Sequence, residues 1–111
     1  MLTSIAGKSV IVTGGSKGIG KGIDGHGLCL APGIVDIGVK VCEPGERHKE
    51  SFGSAGQAAA AGGVTTIVTR PDTDPAIDSP ETLEFVARRA REAAKVNVLP
   101  MAALTKGRAG Q

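Results

Sequence analysis

The sequence predicts an α/β protein: an open, mostly parallel sheet of about four strands flanked by helices, built from βαβ units. Two observations carry this. Residues 31–75 run as an apolar strand, a loop, an Ala-rich helix, a Gly62-Gly63 stop and a second apolar strand. Such a unit lays its two strands side by side and parallel, buried under the connecting helix. After it comes a stretch with a clear helix start at Ser79-Pro80 and then one more short apolar run. A single domain is expected for 111 residues.

Taken in order, Met1 to Gly7 is a lead-in and Lys8 to Thr13 reads as a buried strand. Gly14 to Gly20 is a glycine-rich turn toward a helix, which Gly22, Gly25 and Gly27 interrupt at once. Glycine costs about 1 kcal/mol per helix position relative to alanine. Ile34 to Val41 is the next strand, and Pro44-Gly45 marks a turn. Glu50 to Ala61 is a helix with Phe52, Ala55 and Ala59 on one side, weakened by Gly53 and Gly56. Gly62-Gly63 suits the left-handed position that ends a helix. Val64 to Thr69 is a strand, and R-P-D-T-D-P a loop. Ser79 can cap the next helix, Pro80 fits its first position, and Glu81 favours its positive end. Leu83, Val86, Ala87, Ala90 and Ala94 recur at helical spacing, with Glu84 and Arg88 as an i,i+4 pair. Val96 to Met101 is a last strand, broken by Pro100, and Thr105 to Gln111 a loose tail.

Composition narrows the function classes. Hydrophobic residues make up 41%, but aromatics only 2%, Phe52 and Phe85. The core therefore draws on Val, Ile, Leu and Ala, each burying little area at about 25 cal/mol per Å². Modest stability is expected of a lone monomer, and with it a homo-oligomer. A net charge of +2 argues for neither nucleic acid nor membrane as a partner. Arg88, Arg89 and Arg91 alternate with acids and read as a solvated helix face. Cys29 and Cys42 form no metal or disulfide spacing, so free thiols in a reducing compartment are expected. No leader or long apolar run appears, which predicts a cytoplasmic protein.

Two motifs carry family resemblances. Thr13, Gly14, Gly18 and Gly20 come after an apolar strand as T-G-x-x-x-G-I-G. Such glycines permit close backbone approach to a pyrophosphate at a helix N-terminus. Residues 7–22 thus resemble the cofactor loop of short-chain dehydrogenases. That implies NAD(P) or phosphate binding by Gly14, Ser16, Lys17, Gly18, Ile19 and Gly20. A working dehydrogenase of that family is excluded, because its catalytic Tyr has no counterpart in a chain without Tyr. The acidic residue expected after a second strand is also missing, since Asp36 sits inside I-V-D-I.

From Ile23 the text changes, through I-D-G-H-G and P-G-I-V-D to E-P-G-E-R-H-K-E, A-A-A-A-G-G-V-T-T, P-D-T-D-P and L-T-K-G. These runs resemble the N-terminal barrel part of dihydroorotases, metal-dependent cyclic amide hydrolases, over about residues 23–110. The shift near Gly22/Ile23 predicts a chimera of recombined or engineered origin. A complete eight-stranded barrel needs about 200 residues or more, so a partial, barrel-like segment is expected.

The resemblance fails where its chemistry should be. The family's first two metal ligands, an H-x-H after the Asp matching Asp36, are here Gly38 and Lys40. Glycine and protonated lysine offer zinc no lone pair. The family's substrate-binding Arg is Cys42, and its loop Asn is Asp72, a carboxylate that repels an anionic substrate. Its later ligands fall beyond Gln111. Zinc and catalysis are therefore not expected, and no catalytic or metal-ligating residue is assigned. Non-catalytic dihydroorotase homologues are structural partners of aspartate transcarbamoylase, which makes assembly the role the resemblance implies. Weaker candidates are a metal site of His26 and His48 with Cys29, Cys42 or Asp36, a reactive Cys42 and a nucleophilic Lys40. Each reads more simply as a loop, strand-end or surface residue. Asp36 and Lys40 share a strand about 13 Å apart and are not expected to pair.

Overall fold

The computed structural model describes residues 3–4, 9–12, 21–24 and 29–110. The chain divides into two compact units, Met1–Pro32 and Gly33–Gln111.

Among its described residues, the first unit contains two antiparallel pairs. Strand β1 (Thr3–Ser4) pairs with β4 (Cys29–Leu30), and β2 (Ser9–Val12) pairs with β3 (Lys21–Asp24). A strand thus forms where Lys8 to Thr13 predicts one. The next described segment departs from expectation: Lys21–Asp24 is a returning strand, not part of a helix. The glycines around Ile23 disfavour a helix, and the β-branched Ile23 suits a strand. Residues 13–20, with all six predicted phosphate-loop residues, lie outside the described residues.

The second unit holds the predicted α/β pattern. Strand β5 (Ile34–Val39), helix α1 (Phe52–Ala61), β6 (Val64–Thr69), α2 (Pro80–Ala93) and β7 (Asn97–Pro100) alternate. The sheet order is β5-β6-β7 and both pairings are parallel. The parallel sheet therefore has three strands where about four are predicted, because β2 takes an antiparallel partner. The sheet is open, not closed into a barrel.

Helix α1 starts at Phe52 because Ser51 caps it. The Ser51 hydroxyl accepts from the Ser54 N–H at 3.1 Å, and the Ser54 hydroxyl accepts from the Ser51 N–H at 3.0 Å. This reciprocal pair satisfies two otherwise unpaired donors. Gly62 ends the helix and Gly63 takes φ +79°. The predicted start of α2 is observed: Ser79 caps it by accepting from the Thr82 N–H at 3.3 Å, and Pro80 opens it. The expected Glu84–Arg88 pair is not among the ion pairs of the described residues. Arg89 instead bonds Glu92 at 3.1 Å.

The core is Val41, Phe52, Ala55, Ile67, Ile77, Val86 and Ala90. Ile67 lies in register with Val98 and packs under both helices. Side chains alternate across a strand, so the next row, Ile37–Val68–Leu99, faces away from the helices. There Ile37 is 74% exposed and Leu99 56%.

The tail is not loose. Lys106–Arg108 is a tight turn in which Gly107 and Arg108 take φ of +58° and +59°. It is anchored on Asp78, whose carboxylate accepts from the Gly107 N–H at 2.6 Å and from Lys106 Nζ at 3.2 Å. The Gly107 N–H first, then Lys106, hold the Asp78 carboxyl below its ordinary value of 3.8. A carboxyl depressed in the folded state lends stability that is present above the unfolded value and lost as pH falls through the folded one. Thermal unfolding of wild type and Asp78→Asn should therefore differ most at neutral pH, wild type being higher. The two should converge as pH drops below 3.8. A gap that stays constant down to the acid limit would remove Asp78 as the anchor.

Candidate functional site

In open parallel sheets, ligands bind beyond the C-terminal ends of the strands. Here that end is formed by Lys40, Val41, Cys42 and Glu43 after β5, by Arg70 and Asp72 after β6, and by Met101 after β7. The ladder continues into it: the Arg70 N–H donates to the Val39 carbonyl and the Met101 N–H to the Thr69 carbonyl, each at 3.0 Å.

Lys40 and Asp72, two positions singled out in the sequence, meet here. Lys40 Nζ lies 3.3 Å from Asp72 Oδ2, and Arg70 Nη2 lies 2.9 Å from the same oxygen. Asp72 is only 11% exposed, whereas Lys40 and Arg70 are 52% and 50% exposed. Burial pushes the Asp72 carboxyl up, but the Lys40 hydrogen bond and the Arg70 charge together outweigh it and hold the group below its ordinary value. Asp36 is exposed and does not join them.

Gly38 takes φ +90° at a register shift, between the pairs Ile37–Val68 and Val39–Thr69. A Cβ at this position would meet nothing within 4 Å. Glycine is thus required by the backbone, since L side chains rarely adopt that φ, and not by lack of space. A histidine at 38 would be strained.

The donor set does not fit zinc. Gly38 has no side-chain donor, and the Lys40 ammonium is bound to Asp72. Among the described residues, no three His, Cys, Asp or Glu side chains are grouped to hold a metal ion. Cys42 is a half-buried free thiol and His48 is exposed. His26 lies outside the described residues.

Glu43 was not legible as a site residue. It is 5% exposed and accepts from Arg89 Nε at 2.9 Å and from the Phe52 N–H at 3.2 Å. The first turn of α1 has no acid of its own, so this loop carboxylate serves its positive end. Of the predicted solvated arginine face, Arg88 and Arg91 are exposed, while Arg89 turns inward. The hydrogen bond to Glu43, then that to Glu92, raise the Arg89 guanidinium above its ordinary value.

Thr69, 2% exposed at the end of β6, has a hydroxyl without a hydrogen-bond partner among the described residues. An orphaned buried hydroxyl is destabilising, by about 1–3 kcal/mol. Thr69→Val keeps the shape and is expected to raise Tm by a few degrees in calorimetry. A fall would mean the hydroxyl is satisfied.

The Dihydro-orotase-like family profile matches residues 27–111. A dihydroorotase-like protein of Pseudomonas aeruginosa is 43% identical over 108 residues, 96% of this chain and 26% of that protein. The dihydroorotase of Bacillus cytotoxicus is 48% identical over 88 residues, 79% of this chain and 21% of the enzyme. That of Bacillus caldolyticus is 45% identical over 89 residues, 80% and 21%. The chain thus spans about a quarter or less of the length of these relatives. The Pseudomonas alignment runs across the Gly22/Ile23 boundary, so one protein matches both sides of the expected junction. Among the described residues, no helix is long and apolar enough to cross a membrane. On the strength of the profile and these alignments, the chain belongs to the Dihydro-orotase-like family.

Proposed function

We propose that this chain is a non-catalytic member of the dihydroorotase-like family, with a structural role in assembly. The observation that carries the reading is the Lys40–Asp72 ion pair, 3.3 Å long, at the strand ends where the family resemblance puts metal and substrate. A lysine ammonium has no lone pair for zinc, and the Asp72 carboxylate is already engaged by Lys40 and Arg70. Self-association is supported by the exposed Ile37 and Leu99 on either side of the half-buried Val68, and a second copy is the proposed occupant of that row. An aspartate transcarbamoylase-like partner is what the resemblance implies. A recombined origin has less support, because one relative covers 96% of the chain.

Metal analysis and ring-opening assays on the purified chain test the first part. The expected result is no stoichiometric zinc and no hydrolysis of dihydroorotate above buffer. Either signal would establish the competing reading, an amidohydrolase, which family membership favours. Light scattering on a sizing column tests the second part, with wild type expected as an oligomer and Ile37→Lys/Leu99→Lys as a monomer. A wild-type monomer at all concentrations would end the assembly role. Dinucleotide binding at Gly14, Ser16, Lys17, Gly18, Ile19 and Gly20 is the remaining reading, and titration of NADPH and NADH decides it by heat or its absence.

A further inference from the structure

We infer that residues 40 and 72 act as one unit, in which the Lys40 ammonium is the built-in cation of this sheet end and ties the exit of β5 to the loop after β6. This rests on the reading that the metal set is lost, and it adds what replaces it. Lys40 and Asp72 are 32 residues apart in sequence, so their bond is a tertiary tie and not a local one. A carboxylate only 11% exposed needs a cation close by. Both cations converge on Asp72 Oδ2, Lys40 from β5 and Arg70 from the end of β6. The two departures from the family pattern are chemically reciprocal. Lysine brings a fixed positive charge to one position, and aspartate brings the matching negative charge to the other. Lysine without the aspartate would lack its carboxylate partner, whereas Asp72 without Lys40 would keep only Arg70 at 2.9 Å. Together they compensate, and the tie needs no metal ion.

A double-mutant cycle on the full chain tests this, with Lys40→Met, Asp72→Asn and the combination, read by thermal unfolding. Each single variant is expected to lower Tm by about 2–5 °C, because half-exposed pairs are individually weak. The double variant should lose clearly less than the sum, as contacting residues do. Lys40→Arg keeps the cation and should stay within about 1 °C of wild type. High salt should shrink the differences. Additive single losses, or a Lys40→Arg loss equal to that of Lys40→Met, would overturn the proposal. So would zinc chloride raising the Tm of wild type but not of Lys40→Met. Zinc bound equally by wild type and Lys40→Met, with the coupling intact, would instead sink the non-catalytic reading and leave the Lys40–Asp72 unit standing. A single variant too unstable to show a transition would exceed what a half-exposed pair supplies and would overturn the proposal.

Discussion

Phe52→Ala is expected to abolish the cooperative unfolding transition. Phe52 is 1% exposed and packs with Val41, Ala55, Ile67, Ile77, Val86 and Ala90. It is the one aromatic of that cluster, and its neighbours are small or medium-sized. Truncating a buried phenylalanine costs about 3–5 kcal/mol through lost transfer energy and the cavity left behind. Whole domains are stable by only about 5–15 kcal/mol, and small ones sit at the low end. The alanine variant should therefore keep some far-ultraviolet helix signal while its thermal transition broadens or vanishes. Phe52→Leu fills most of the volume and should lose less than about 1.5 kcal/mol. A sharp transition for Phe52→Ala within a few degrees of wild type would show that the core does not centre on this ring.

The elements that were legible in the sequence are those whose signals are local. Ser79, Pro80 and Glu81 specify a helix start within three residues, and α2 begins there. Val64 to Thr69 is bounded by Gly63 and Arg70-Pro71, and its strand has those limits. Helix α1 begins two residues later than expected because the Ser51–Ser54 capping pair outweighs the helix preference of Glu50. The antiparallel return at Lys21–Asp24 is not legible because glycine-rich sequences serve strand–helix and strand–strand connections alike. The order of the tail is hidden from the sequence for a different reason: its anchor, Asp78, lies 29 residues from Gly107 and sends no local signal.

The candidate site divides the same way. Gly38 and Lys40 were readable as an unsuitable metal pair from residue chemistry alone. That Lys40 meets Asp72 depends on how β5 and β6 align in register, which no short stretch encodes. Ile77 and Glu43 were missed because each lies in a polar, proline-containing loop, yet both are buried.

Glu43→Ala is the second variant expected to have a large effect, lowering Tm by roughly 10 °C. The carboxylate holds three elements at once: its own loop after β5, the N-terminus of α1 through the Phe52 N–H, and α2 through Arg89. Removing it leaves a buried backbone donor unpaired and strands Arg89 with Glu92 as its remaining partner. Arg89→Ala should lose less, since Glu43 keeps the Phe52 N–H at 3.2 Å and Arg47 at 3.9 Å. Glu43→Gln separates charge from geometry. The amide oxygen can still accept from one donor, but its NH2 group faces the guanidinium where the second carboxylate oxygen was. Its loss should therefore fall between those of Arg89→Ala and Glu43→Ala. If calorimetry finds Glu43→Ala within about 2 °C of wild type, the loop carboxylate is a bystander. Helix α1 would then be oriented by the packing of Phe52 and Ala55, and the two variants would no longer report on the same joint.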